Sequence, residues 1–277
     1  MTKILTSLDK EKILTLYNEN ILNKDIANLI GVSKATIGNF LKTKNLYSKY
    51  STPRKYSLNE SFFDEIDTEE KAYFLGFLYA DGYNLEKKGR ISMNLKENDK
   101  EILEKFSRII ESDRPLTFID VVSYKKRVLN SSNQYKITIN SKHMSLMLKV
   151  LGCMQTKSLI LKFPTEEQVP SYLLRHFLRG YSDGDGWIGD QSLCIVGTED
   201  FCNSLGEKVK KDLNINFYIR KREKEKNTTT RMFYISGRRQ LMIFLNYIYN
   251  DSTIYLQRKY DIWEKNKLWK RKCSVTS

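Results

Sequence analysis

Ala72–Tyr83 reads AYFLGFLYADGY and His176–Ile188 reads HFLRGYSDGDGWI. When Gly76 is set against Gly180, Asp81 falls on Asp185 and Gly82 on Gly186, each pair 104 residues apart. One register accounts for all three matches, so the chain carries a duplicated motif. Each copy is expected to be a helix with a small residue at mid-length and an Asp-Gly at its carboxyl end. A glycine inside a helix costs about 1 kcal/mol relative to alanine. Its presence in both copies predicts that another backbone approaches there, which makes Gly76 and Gly180 the interface between the two motif helices. Gly82 and Gly186 are expected to take the left-handed conformation that ends a helix. Packed this way, the helices bring Asp81 and Asp185 together at two negative helix ends, where the carboxylates repel unless a cation lies between them. Hard carboxylate oxygens favour Mg²⁺. A single Asp-Gly reads equally well as a simple turn; two in register make the pair a candidate site.

Outward from each copy the elements repeat. After the first come strands at Arg90–Lys96, Leu116–Val122 and Gln134–Asn140, with helices at Asp99–Ile110 and Ser145–Leu151. After the second come strands at Ser192–Val196, Ile215–Lys221 and Arg231–Ser236, with helices at Glu199–Leu213 and Gln240–Tyr249. Antiparallel strands with helices on one face leave the other free for a ligand. Arg220 to Arg239 holds eight Lys/Arg and two acids, a composition that suits DNA contact or a solvated loop, with Arg220, Arg222 and Arg231 as the contact candidates.

The balance of charge names the class of ligand. Forty-seven Lys+Arg against 33 Asp+Glu leave a net charge of +14 over 277 residues, which points to a polyanion, nucleic acid first. With 40% hydrophobic and 12% aromatic residues the chain has too much core-forming material for a disordered basic tail. The longest apolar runs, such as Leu241 to Leu245, fall far short of a membrane span, and the amino terminus lacks a secretory signal pattern, so an intracellular protein is expected. Four cysteines without a C-x-x-C pair, and two histidines, assemble no zinc spacing; reduced thiols are expected.

Residues 1–46 carry a separate pattern of three short helices. Ala27 allows close helix approach, Gly31 suits a left-handed turn, Ser33 is placed as an N-cap, and Ile37 and Phe40 face inward. Lys34, Thr36 and Asn39 are left facing outward. This is helix-turn-helix grammar, which a purely structural three-helix bundle can share. Residues 1–56 hold ten Lys/Arg against four Asp/Glu, which favours DNA binding. Residues 47–68 read as a linker and an entry to the next domain, residues 69–170 as the first repeat, and residues 171–277 as the second repeat with a basic tail.

FLGFLYADGY, FLRGYSDGDGWIG, VGTEDF at Val196–Phe201 and LGCMQTKSLILKFP at Leu151–Pro164 together resemble the LAGLIDADG homing endonucleases in their single-chain, two-repeat form, over about Glu69 to Lys267. The helix-turn-helix lies outside this resemblance and looks like an appended module. Tyr79 departs from the family motif, standing where it often has a first acid that the second copy keeps as Asp183. The resemblance implies an α+β fold of two pseudo-symmetric αββαββα-type repeats forming a DNA-binding saddle, next to a small all-α domain. It also implies a monomer that cuts both strands of duplex DNA at a long site, leaving 3′ extensions. Asp81 and Asp185, with the carbonyls of Ala80 and Gly184, would hold Mg²⁺, with Mn²⁺ as a substitute, and Lys157 and Lys259 are the candidate basic residues of the two centres. Some relatives act instead as RNA maturases, and a non-catalytic DNA-binding regulator is a further alternative; retention of both acids argues against each.

Overall fold

Thr6 opens the first helix of the chain, its hydroxyl accepting from the Asp9 amide while Asp9 returns a bond to the Thr6 amide. The structure, a computed structural model, describes residues 5–19, 21–44, 46, 55–121, 132–155, 160–221 and 230–274, with the backbone alone from 268 onward. It divides into two compact units, Met1–Ser57 and Leu58–Ser277.

The smaller unit consists of α1 (Ser7–Asn18), α2 (Asn23–Ile30) and α3 (Lys34–Thr43). Gly31 ends α2 at φ 75°, and the Ser33 hydroxyl accepts from the Thr36 amide, so turn and cap fix where α3 begins. Ile13, Tyr17, Ile26, Ala27, Ile30, Ile37, Phe40 and Leu41 form its core.

The larger unit is α+β, with two four-stranded antiparallel sheets and the αββαββα order in both halves. The first half runs α4 (Glu69–Asp81), β1 (Gly82–Leu85), β2 (Arg90–Lys96), α5 (Lys100–Ile109), β3 (Thr117–Ile119), β4 (Gln134–Asn140) and α6 (Lys142–Val150). The second runs α7 (Leu174–Asp185), β5 (Gly186–Ile188), β6 (Ser192–Thr198), α8 (Glu199–Leu213), β7 (Tyr218–Lys221), β8 (Thr230–Ser236) and α9 (Arg238–Tyr249). The sheets have the same order, β1-β2-β4-β3 and β5-β6-β8-β7. Along β4 and β8 alternate residues are buried, Ile137 and Ile139 in one and Phe233 and Ile235 in the other, so the helices cover one face of each sheet and leave the other open. A single core runs through both halves.

Three readings of the sequence change. Gly82 and Gly186 are extended, at φ −76° and −86°, and the chain passes from each motif helix straight into a strand. Glycine is required there because a Cβ would come within 2.6 Å of Leu78 O or 2.4 Å of Ser182 O. Phe62, Phe63 and Ile66, assigned to the linker segment, are buried in the large core. The basic tail contains α10 (Gln257–Ser274), whose Trp263 is buried against Tyr249 with ring centroids 5.6 Å apart. Among the described residues no helix is long and apolar enough to cross a membrane, and Cys153, Cys194 and Cys202 are buried free thiols.

Candidate functional site

Helix α4 is apolar on all sides and buried from Ala72 to Ala80, which suits an element at the centre of the molecule. Thr68 caps its start and Glu69 and Glu70 occupy the first turn, where the helix dipole favours acids. Its partner is α7, and the contact is backbone against backbone. A Cβ on Gly76 would lie 2.0 Å from Phe177 O, and one on Gly180 would lie 1.9 Å from Tyr73 O. These contacts are related by the internal repeat, since Tyr73 corresponds to Phe177 as Gly76 does to Gly180.

The close crossing brings the two carboxyl ends together. A Cβ on Gly184 would lie 2.3 Å from Ala80 Cβ and 3.3 Å from Asp81 Oδ2. Asp81 and Asp185 are both exposed, whereas Asp183, two residues before Asp185, is fully buried. The two exposed carboxylates are therefore the ones that reach solvent.

Asp183 is held by donors from three elements. Tyr73 donates to Oδ2 at 2.8 Å, Tyr249 to Oδ1 at 2.6 Å and the Leu256 amide to Oδ2 at 2.7 Å, just ahead of α10. Burial pushes its pKa up, against the nearby Lys259 and these hydrogen bonds. In the first repeat Tyr79 stands in its place and donates to Leu151 O, so the hydrogen bond there runs in the opposite sense. Gly152, at φ 93°, is next to that hydroxyl, which a Cβ would meet at 2.1 Å.

Lys259 is buried, and its Nζ donates at 2.6 Å to each of Ser182 O, Asp183 O and Gly186 O. An ammonium has three protons, so the three carbonyls account for all of them. Burial lowers its pKa to about 8, against the pull of Asp183 and, more weakly, of Asp81 and Asp185. Lys259 thus clamps the end of α7 and the first residue of β5 on either side of Asp185. In β1, which follows α4, Asn84 Nδ2 donates to Ser145 O and Cys153 O, both at 2.9 Å. Sequence reading picked out Lys259 for its charge; its carbonyl partners follow from how α10 packs, which no local pattern encodes.

A second buried cluster joins the opposite ends of these helices. Arg179 has no exposed surface and donates to Ile254 O, Ile248 O and Glu69 Oε1 at 2.8, 2.7 and 2.6 Å. His176 lies beside it, its pKa lowered to about 4 by burial and by the Arg179 charge.

The remaining candidates are spread out. Arg220 is exposed on the open face of the second sheet, with its guanidinium 4.8 Å above the Tyr218 ring. Arg231 falls in the alternation of Phe233 and Ile235, on the helix-covered face, and pairs with Glu199 at 2.6 Å. Lys34 and Asn39 are exposed on α3, and Thr36 is half-buried. Lys157 and Arg222 lie outside the described residues.

No family model matches the chain. It is 26% identical over 254 residues to the Replication factor C small subunit of Methanocaldococcus jannaschii, a match that covers 90% of this chain and 12% of that protein. Among solved structures it is similar to the homing endonuclease I-WcaI bound to its DNA recognition sequence, with a TM-score of 0.50 and 16% identity over 72% of this chain and 89% of that one. It is also similar to full-length DUF199/WhiA from Thermatoga maritima, with a TM-score of 0.46 and 18% identity over 76% of this chain and 65% of that one. At these identities the likeness to I-WcaI speaks to the fold alone.

Proposed function

We propose that the chain is a site-specific DNA endonuclease of the LAGLIDADG kind, which breaks both strands of a duplex in a divalent-metal-dependent reaction. The observation that carries this reading is the pair of exposed carboxylates, Asp81 and Asp185, at the meeting ends of two helices packed backbone to backbone. Two open sheet faces on a chain of net charge +14 support DNA as the ligand.

The donor set fits a hard cation. Among the described residues no three His, Cys, Asp or Glu side chains cluster, so an ion here would rest on Asp81 and Asp185 with the main-chain carbonyls of Ala80 and Gly184. Mg²⁺ suits such sites, since it is commonly held by one or two carboxylates with substrate phosphates and water completing its shell. When bound, the ion supplies water activation and neutralises charge on the phosphate. The chain's own residues hold the site in shape: Gly76 and Gly180 let the helices cross closely enough for both carboxylates to meet. Lys259 is a positioning residue that fixes the turn bearing Asp185. Both motif copies belong to one polypeptide, so a monomer supplies both acids, and α3 of the smaller unit offers Lys34, Thr36 and Asn39 for flanking DNA.

The test is cleavage of a randomised duplex library by the full chain with Mg²⁺, the cut sites being sequenced. Asp81→Asn or Asp185→Asn is expected to lower double-strand cleavage by more than about 100-fold, the scale of losing a preorganised electrostatic group. Duplex binding should stay near its original strength, because phosphate contacts lie elsewhere. Undiminished cutting by either variant removes that residue from the site, and a chain that binds but never cuts is a regulator.

A further inference from the structure

The open faces of the two sheets differ in chemistry. On the first, the outward positions pair across β2 and β4 as Arg90–Asn140, Ser92–Thr138 and Asn94–Lys136; Ser92 is buried, and Tyr83 of β1, 44% exposed, is the one aromatic among these three rows. On the second, a cross-strand row runs Trp187–Cys194–Tyr234–Tyr218 over all four strands, and the next row is Val196–Met232–Arg220. Trp187 is 59% exposed and Tyr218 37% exposed, so the row is open to a ligand.

Within this apolar face Arg220 is the one charged side chain of the two rows, and it is held in place. The Tyr218 and Tyr234 rings stack with centroids 5.0 Å apart and an 11° tilt, and the Arg220 guanidinium lies 4.8 Å from one and 5.7 Å from the other. Among the described residues Arg220 has no acidic partner in an ion pair, in contrast to Arg231 on the covered face. Stacking on aromatic rings orders an arginine while leaving its planar fork of donors outward. That fork matches the O6 and N7 acceptors of guanine in the major groove, and apolar groups around it match thymine methyls.

We propose that the two halves of the DNA target are read by different chemistry: the first sheet by hydrogen bonding, and the second by Arg220 on a single guanine set among A·T pairs whose thymine methyls meet Trp187, Met232 and Val196. This rests on the reading of the open sheet faces as the DNA surface. Arg220 is then a specificity-determining residue, and Tyr218 and Tyr234 position it.

The experiment is selection of bound duplexes from a randomised library by the full chain without divalent metal, repeated with Arg220→Lys, Tyr218→Phe and Tyr218→Ala. The unaltered chain is expected to recover sites with one half rich in A·T around an invariant guanine. Arg220→Lys keeps the charge and loses the fork, so the preference for guanine at that position should fall roughly tenfold or more while the other half-site is unchanged. Tyr218→Phe should keep the preference, and Tyr218→Ala should weaken it. Recovered sites whose preferences are the same with Arg220→Lys would overturn the inference alone, as would a half-site without the guanine. Recovery of no duplex by the unaltered chain would overturn it together with the DNA-binding reading.

Discussion

At the level of single residues the buried acid matters as much as the exposed ones. Asp183 is satisfied by two phenol hydroxyls and a main-chain amide, so removing a donor leaves an under-paired carboxylate in the core. Tyr73→Phe deletes one hydroxyl without changing packing and is expected to lower stability by about 1–3 kcal/mol. Tyr234→Phe, on an open sheet face, should stay within about 0.5 kcal/mol of the parent. Urea unfolding of the two variants checks the contrast; equal midpoints would mean that the Tyr73 bond contributes nothing. The crossing glycines show the same economy, because the atoms a Cβ would meet are carbonyls of the partner helix, which cannot rotate away as a side chain would.

At the level of elements, α4, α7, α9 and the turn before α10 converge on Arg179, Glu69 and His176. His176 has a folded pKa near 4 and an unfolded one near 6.5. Between those values the unfolded chain binds the extra proton and the native one does not, so stability is complete above about pH 6.5 and declines as pH falls towards 4. The loss amounts to at most about 3 kcal/mol from this group. Thermal unfolding across that window should show the slope, and His176→Gln should flatten it; an unchanged slope would assign the acid sensitivity to other groups. Local pattern revealed β2, β4 and α8 to the residue, because alternation and N-cap signals lie within each segment. It did not reveal β1 and β5, four and three residues long, whose pairing depends on residues outside each segment. The charged surface of α10 hid a helix that is anchored through Trp263, and the partners of Lys259 arise only once α10 meets α7. The duplicated Asp-Gly pointed to the two helix ends, whereas the buried role of Asp183 depends on Tyr73, Tyr249 and Leu256 arriving from elsewhere.

For the whole molecule, the separate cores of the two units imply that Leu58–Ser277 folds without the first 57 residues. If the full chain neutralises ~8 phosphates, log K against log salt should have a slope of about −7. The shortened chain should keep its thermal midpoint and give a shallower slope and a shorter footprint. Identical slopes would mean that the three-helix unit does not touch DNA. The larger unit has an internal polarity as well. Tyr73 gives a hydroxyl across the central crossing and Asp183 receives it, yet their counterparts by the 104-residue repeat are Phe177, without a hydroxyl, and Tyr79, without an acid. Two copies of the second half would bury a pair of aspartates against phenylalanines, and two copies of the first would set donors against donors. The Tyr73–Asp183 bond therefore forms only between unlike halves, plug and socket, so this one contact favours the two halves pairing with each other over either pairing with a copy of itself.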